Sequence, residues 1–192
     1  MVPTGDCGGN DLKFRNLTED EIEVKVKKIN SYEGKATGLV CLLYKTARTD
    51  MDLLDETVGP ENWENDYREI KGNLYAGIGI RQQDGSLVWK WDCGIESRED
   101  GEGNEKKGEA SDAFKRAGFR WGIGRGLYTS PDIKIPADKA NIKSSQFNGK
   151  TVYRCYDHFS VEKIAYDEKG KIIGLAIRND TKNARAFVWS AP

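Results

Sequence analysis

The chain has 192 residues, 38% of them hydrophobic and 32% charged, and its 30 basic and 31 acidic residues leave a formal net charge of −1. That size and composition support a packed core, which excludes a wholly disordered chain and a collagenous or coiled-coil rod. The balanced charge excludes a polycation that coats nucleic acid over its whole surface, and no apolar run reaches the roughly 18 residues of a membrane helix.

Residues 1 to about 15 are Gly-rich and aperiodic and read as a mobile tail. No basic stretch followed by an apolar segment occurs there, so a cytoplasmic protein without membrane contact is expected. Thr18-Glu19-Asp20-Glu21 has the form of a capping box, and a helix is expected to follow through Ile22, Val24, Val26 and Ile29, although Ile22 to Val26 alternates as a strand would. Leu39 to Tyr44 is an apolar run of buried-strand length. The next helix is expected to be capped by Thr49 or a neighbour, to bury Met51, Leu54 and Val58, and to stop at Gly59-Pro60.

Three strands are expected next, at about Asn65 to Ile70, Leu74 to Arg81 and Leu87 to Cys93, joined by turns at Lys71-Gly72-Asn73 and Gln83-Asp84-Gly85-Ser86 into an antiparallel meander. An acidic loop from Glu96 to Glu105 then leads to a helix from about Lys107 to Trp121. On it Ala110, Ala113, Phe114, Ala117 and Trp121 form a core stripe, while Asp112, Arg116 and Arg120 share an exposed side with Lys115 adjoining. A polar stretch with few core candidates runs to about Lys150, and strands follow at Tyr153 to Tyr166, Ile172 to Arg178 and Ala184 to Trp189.

Several motifs lack the context their chemistry needs. Asn148-Gly149-Lys150-Thr151 ends like a phosphate-binding loop, but Ser144 stands where its first glycine belongs and no apolar strand precedes it, so a turn is expected. Gly122-Ile123-Gly124-Arg125-Gly126 has Leu127 in place of a third dinucleotide-binding glycine and follows a helix. Asp132 and Asp167-Glu168 could suggest a magnesium-dependent nuclease, yet Asp167 to Gly170 reads as a hairpin turn. Cys7, Cys41, Cys93 and Cys155 have no metal-ligand spacing, and His158 is the one histidine, so no cofactor and no metal are expected.

The informative segment is Lys106 to Arg125, where six basic residues stand against Glu109 and Asp112 and are interleaved with Phe114, Phe119 and Trp121. Within it, Ala110 to Tyr128 resembles the signature helix of the Rad-fifty-two superfamily of single-strand annealing proteins, in its phage and bacterial Sak-type branch. The resemblance extends upstream through Tyr44-Lys45-Thr46-Ala47-Arg48, Leu54-Asp55-Glu56 and Val58 to Trp63, covering roughly residues 39 to 131. It implies an α+β fold in which a three-stranded antiparallel meander packs on helices as a β-β-β-α core, here at residues 16–131, with a β-rich extension at 132–192 whose role it leaves open. It further implies a non-enzymatic recombination mediator that binds single-stranded DNA and anneals complementary strands without ATP, as a homo-oligomeric ring or arc of about ten subunits. Host or phage exonucleases and single-strand-binding proteins are the further partners it suggests.

By that resemblance Arg48, Lys115, Arg116 and Arg120 match DNA-backbone contacts, with Lys106 and Lys107 near other basic positions. Arg125 extends the same basic run. Pro60 departs from the aromatic residue that some eukaryotic members carry. A protein that protects single-stranded ends without annealing needs the same cationic groove and is the alternative, with a metal-dependent nuclease the enzyme reading.

Overall fold

The computed structural model describes residues 12–95 and 105–192. The first eleven residues of the expected tail, with Cys7, and the acidic loop as far as Asn104 lie outside the described residues. What is described is a mixed α+β fold of eleven strands and two α-helices, with every strand pairing antiparallel.

The end of the expected tail is packed rather than mobile. Phe14 and Leu17 are buried, and the Arg15 guanidinium bridges the Glu21 and Glu56 carboxylates at 2.7 and 2.8 Å. The capping box forms, with the Thr18 amide donating to Glu21 Oε2 at 2.8 Å, but it closes only a single 3-10 turn. The chain then enters β1 (Glu23–Tyr32), which corrects the expected helix. Alternation decides the matter: Ile22, Val24 and Val26 face inward between exposed Glu23 and Lys25, and period two cannot form one helical stripe.

Strand β2 (Lys35–Tyr44) pairs with β1 and leads to α1 (Ala47–Val58). Thr46, not Thr49, is the N-cap, its hydroxyl accepting the Thr49 amide at 3.2 Å. Gly59 stops the helix with φ +88°, as expected. The buried face is Leu53 and Leu54, with Val58 packed at its edge, while Met51 is exposed. A single offset in the stripe separates this outcome from the expected Met51, Leu54, Val58 set.

Strands β3 (Trp63–Ile70), β4 (Asn73–Arg81) and β5 (Leu87–Cys93) form a three-stranded antiparallel sheet in that order. One face of β4 buries Ala76, Ile78 and Ile80, and α2 (Glu105–Trp121) presents Ala113, Phe114 and Ala117 to the same core. The Trp121 indole donates to the Ile78 carbonyl at 2.9 Å, fixing the helix along the sheet.

A six-stranded sheet is completed by both ends of the chain. Its order is β11-β10-β9-β1-β2-β6, where β6 is Ile133–Pro136, β9 Phe159–Tyr166, β10 Ile172–Asn179 and β11 Ala184–Ser190. The stretch after Pro131 is therefore not poor in core residues: Ile133 and Ile135 are buried against Cys41 and Leu39 of β2, and Ala140 is buried as well. Between them, β7 (Ile142–Phe147) and β8 (Lys150–Cys155) make a separate two-stranded hairpin, so the expected strand from Tyr153 is broken before β9. The Asn148-Gly149 segment is its turn, with φ +49° and +73°. Asp167 likewise makes a hairpin turn, its Oδ1 accepting the Lys169 and Lys171 amides. No helix among the described residues is long and apolar enough to cross a membrane.

Candidate nucleic-acid interface

A cavity of about 690 Å³ opens between β2, α2 and the segment from Gly124 to Ile133. Its walls carry Lys115 and Arg116 of α2, Phe119 one turn along, Tyr128, and Leu42 of β2. The Phe119 and Tyr128 rings meet at 4.6 Å between centroids, tilted by 54°, and Tyr128 is 76% exposed. A half-covered aromatic pair beside two cations can hold a flat π-system and an adjoining anion.

Close packing of α1 against α2 sets this wall. Asp50 of α1 is fully buried, and both its oxygens lie 2.5 Å from the Lys45 ammonium, which also donates to the Lys115 carbonyl at 3.2 Å. A Cβ at Gly118 would stand 2.5 Å from Asp50 Oδ2, and one at Gly124 would meet the Lys45 stem at 2.6 Å. The two glycines thus let helix and turn close over the ion pair. Burial pulls the Lys45 ammonium below its ordinary value and pushes Asp50 up to about 6, each shift opposed by the partner's charge.

The basic residues expected at the site do not all converge. Arg116 and Arg120 stand one turn apart and both reach Asp92 of β5, at 3.4 and 3.0 Å. Burial alone would raise Asp92, but the Cys93 amide and the two guanidiniums outweigh it and hold the carboxyl below its ordinary value. Arg125 folds back on the helix end, donating to the Phe119 and Arg120 carbonyls at 2.9 and 2.7 Å. It therefore places a cation at the helix C-terminus, sharing the Phe119 carbonyl with the Gly122 amide and the Arg120 carbonyl with Lys90. Lys106 and Lys107 are exposed on the first turn of α2, about 12 Å from Lys115 along the axis at 1.5 Å per residue. Arg48 is exposed on the first turn of α1 and does not line the cavity.

Three contributors were not singled out by the sequence pattern. Asp92 neutralises part of the cationic rail, and its only sequence signal is its place on the strand that packs beside α2. Lys90 sits 4.1 Å over the Trp121 ring and donates to the Arg120 carbonyl at 3.3 Å; burial, then Arg125, lowers its pKa. Tyr128 supplies the exposed ring, whereas Phe114 is core and Trp121 is spent on the sheet. The cavity is also lined by Asp112 and Asp132, whose carboxylates engage the Ile95 amide at 3.2 Å and Lys134 at 3.3 Å. Comparison with protein-family models, curated proteins and solved structures returns no match.

Proposed function

We propose that the chain binds single-stranded DNA along α2 and anneals complementary strands without nucleotide hydrolysis. The observation that carries this reading is the cavity in which Lys115 and Arg116 flank the Phe119 and Tyr128 pair. Cations beside an exposed aromatic suit a chain of alternating phosphates and flat bases, and neither feature requires a particular base sequence. Lys115, Arg116 and Arg120 hold phosphates, with Lys106, Lys107 and Arg48 as outlying contacts. Base edges stay free to test an incoming strand. Pairing, at about 1.4 kcal/mol per base-pair step on average, then drives annealing, and the protein contributes alignment and charge neutralisation.

In the same proposal β3, β4, β5 and α2 act as the β-β-β-α unit implied by the sequence resemblance, and the chain assembles into a cytoplasmic ring or arc. One subunit offers few phosphate contacts, while a row of subunits presents a continuous track through effective concentration. Among the described residues no further strand pairs with β3 or β5, and a neighbouring copy can cover those edges. Fluorescence anisotropy with a labelled single strand, run beside light scattering, tests binding and assembly together. Saturable, salt-sensitive binding by an oligomer is expected; a monomer that leaves the anisotropy unchanged contradicts the proposal.

A further inference from the structure

The β7 and β8 hairpin is a second site of unusual charge, set apart from the α2 cavity, which none of its residues lines. Residues 142 to 155 include Lys143, Lys150 and Arg154 and no carboxylate, in a chain whose net charge is −1. Pairing of Lys143 with Arg154 and of Phe147 with Lys150 puts all four residues on one face, together with Ser145 and Val152. The other face carries Ile142 and Cys155, which pack against the core at the base of the hairpin. The charged face therefore looks away from the core.

Lys143 directly opposite Arg154 is an unfavourable arrangement in an antiparallel pair. Among the described residues neither these two nor Lys150 has a carboxylate within the 4.0 Å of an ion pair, so nothing there offsets the repulsion. Among the described residues the ribbon joins no other strand, and its two-residue turn holds a fixed register to the tip, where Phe147 is 64% exposed. Such a surface is complementary to a polyanion.

We infer that this hairpin is a phosphate-binding arm for double-stranded DNA. A duplex fits better than a single strand. The charged face has one exposed aromatic, at its tip, where a single-strand site would offer a succession of stacking platforms. A two-stranded ribbon also has the dimensions of an object the major groove admits, with cations on both of its strands able to reach phosphates on either wall. The arm adds a product-duplex contact to the single-strand reading and is tested separately from it.

The test compares the full chain with a Lys143→Ser/Lys150→Ser/Arg154→Ser variant, by anisotropy against a labelled mixed-sequence duplex and its single strand over a salt series. The salt slope should shrink by about 2.7, at about 0.9 for each of three phosphates, which lowers duplex affinity at 0.15 M salt on the order of a hundredfold relative to 1 M. Single-strand affinity should change less than about twofold, and thermal stability should not fall, since a like-charge pair is removed. A Lys143→Arg/Lys150→Arg variant should keep duplex affinity, and Lys150→Ser alone, at the exposed tip, should give a third of the slope change. Unchanged duplex affinity, equal losses on both ligands, or no duplex binding by the unaltered chain overturns the inference. Hairpin-dependent duplex binding by a chain that ignores single strands would sustain it and remove the proposed function instead.

Discussion

Asp92→Asn should strengthen single-strand binding. The carboxylate is bracketed by Arg120 at 3.0 Å and Arg116 at 3.4 Å, so a phosphate held on the far side of Arg120 stands about 6 Å from it. In water-like surroundings two unit charges at about 6 Å repel by about 0.7 kcal/mol, a factor of about three in affinity. Counterion release gives a similar figure. One additional phosphate neutralised steepens the single-strand slope by about 0.7, which is about fourfold at 0.15 M relative to 1 M salt. Asparagine preserves the shape and can still accept the Cys93 amide that Asp92 accepts at 2.8 Å, so folding should survive. The lost ion pairs are partly exposed and worth at most about 1 kcal/mol. The assay is anisotropy of a labelled oligothymidine over a salt series, with thermal melting as control. Equal or weaker binding by a folded Asp92→Asn protein would refute the idea that this carboxylate masks the rail.

Arg116→Gln/Arg120→Gln should reduce single-strand affinity by at least about tenfold at physiological salt while leaving the melting temperature within a few degrees, because both side chains are exposed; binding that persists in the folded double variant removes α2 from the site. Asp50→Ala should destabilise by about 3–5 kcal/mol, by leaving the Lys45 charge buried and unpaired, whereas Lys45→Met/Asp50→Leu should recover most of the loss; equal urea midpoints for the single and double variants would contradict this. Arg15 holds Glu21 down to about 2 from its ordinary 4.5, so the unfolded chain binds more protons between those values, and the contribution present above pH 4.5 is lost as pH falls through that window. Partial exposure limits it to about 1 kcal/mol, and Arg15→Gln should flatten the acid limb of a urea-midpoint profile; an unaltered limb would dismiss the pair.

How far the sequence carries depends on whether a pattern is local. The Lys71-Gly72 and Asn148-Gly149 turns, the stop at Gly59 and the core stripe of α2 all follow from neighbouring residues, and each is legible. At Ile22 to Val26 two local signals compete, and the capping box governs only one turn before β1 takes over. Ile133 and Ile135 are isolated apolar positions among polar ones, and what buries them is pairing with Cys41 and Leu39, far away in the chain. The cationic rail is legible as helical spacing, but its partner Asp92 belongs to a separate strand, and no spacing rule joins the two. Lys45 reads as one more basic residue beside Arg48; only the packing of Gly118 and Gly124 reveals that it is an internal strut.

Annealing is read from the rate at which two labelled complementary oligonucleotides pair in EDTA, without ATP, measured by energy transfer with and without the protein. Pairing well above the spontaneous rate is expected for the unaltered chain, with loss of that acceleration for Arg116→Gln/Arg120→Gln. Tight binding with suppressed pairing would instead identify a protector of single strands and contradict the annealing claim.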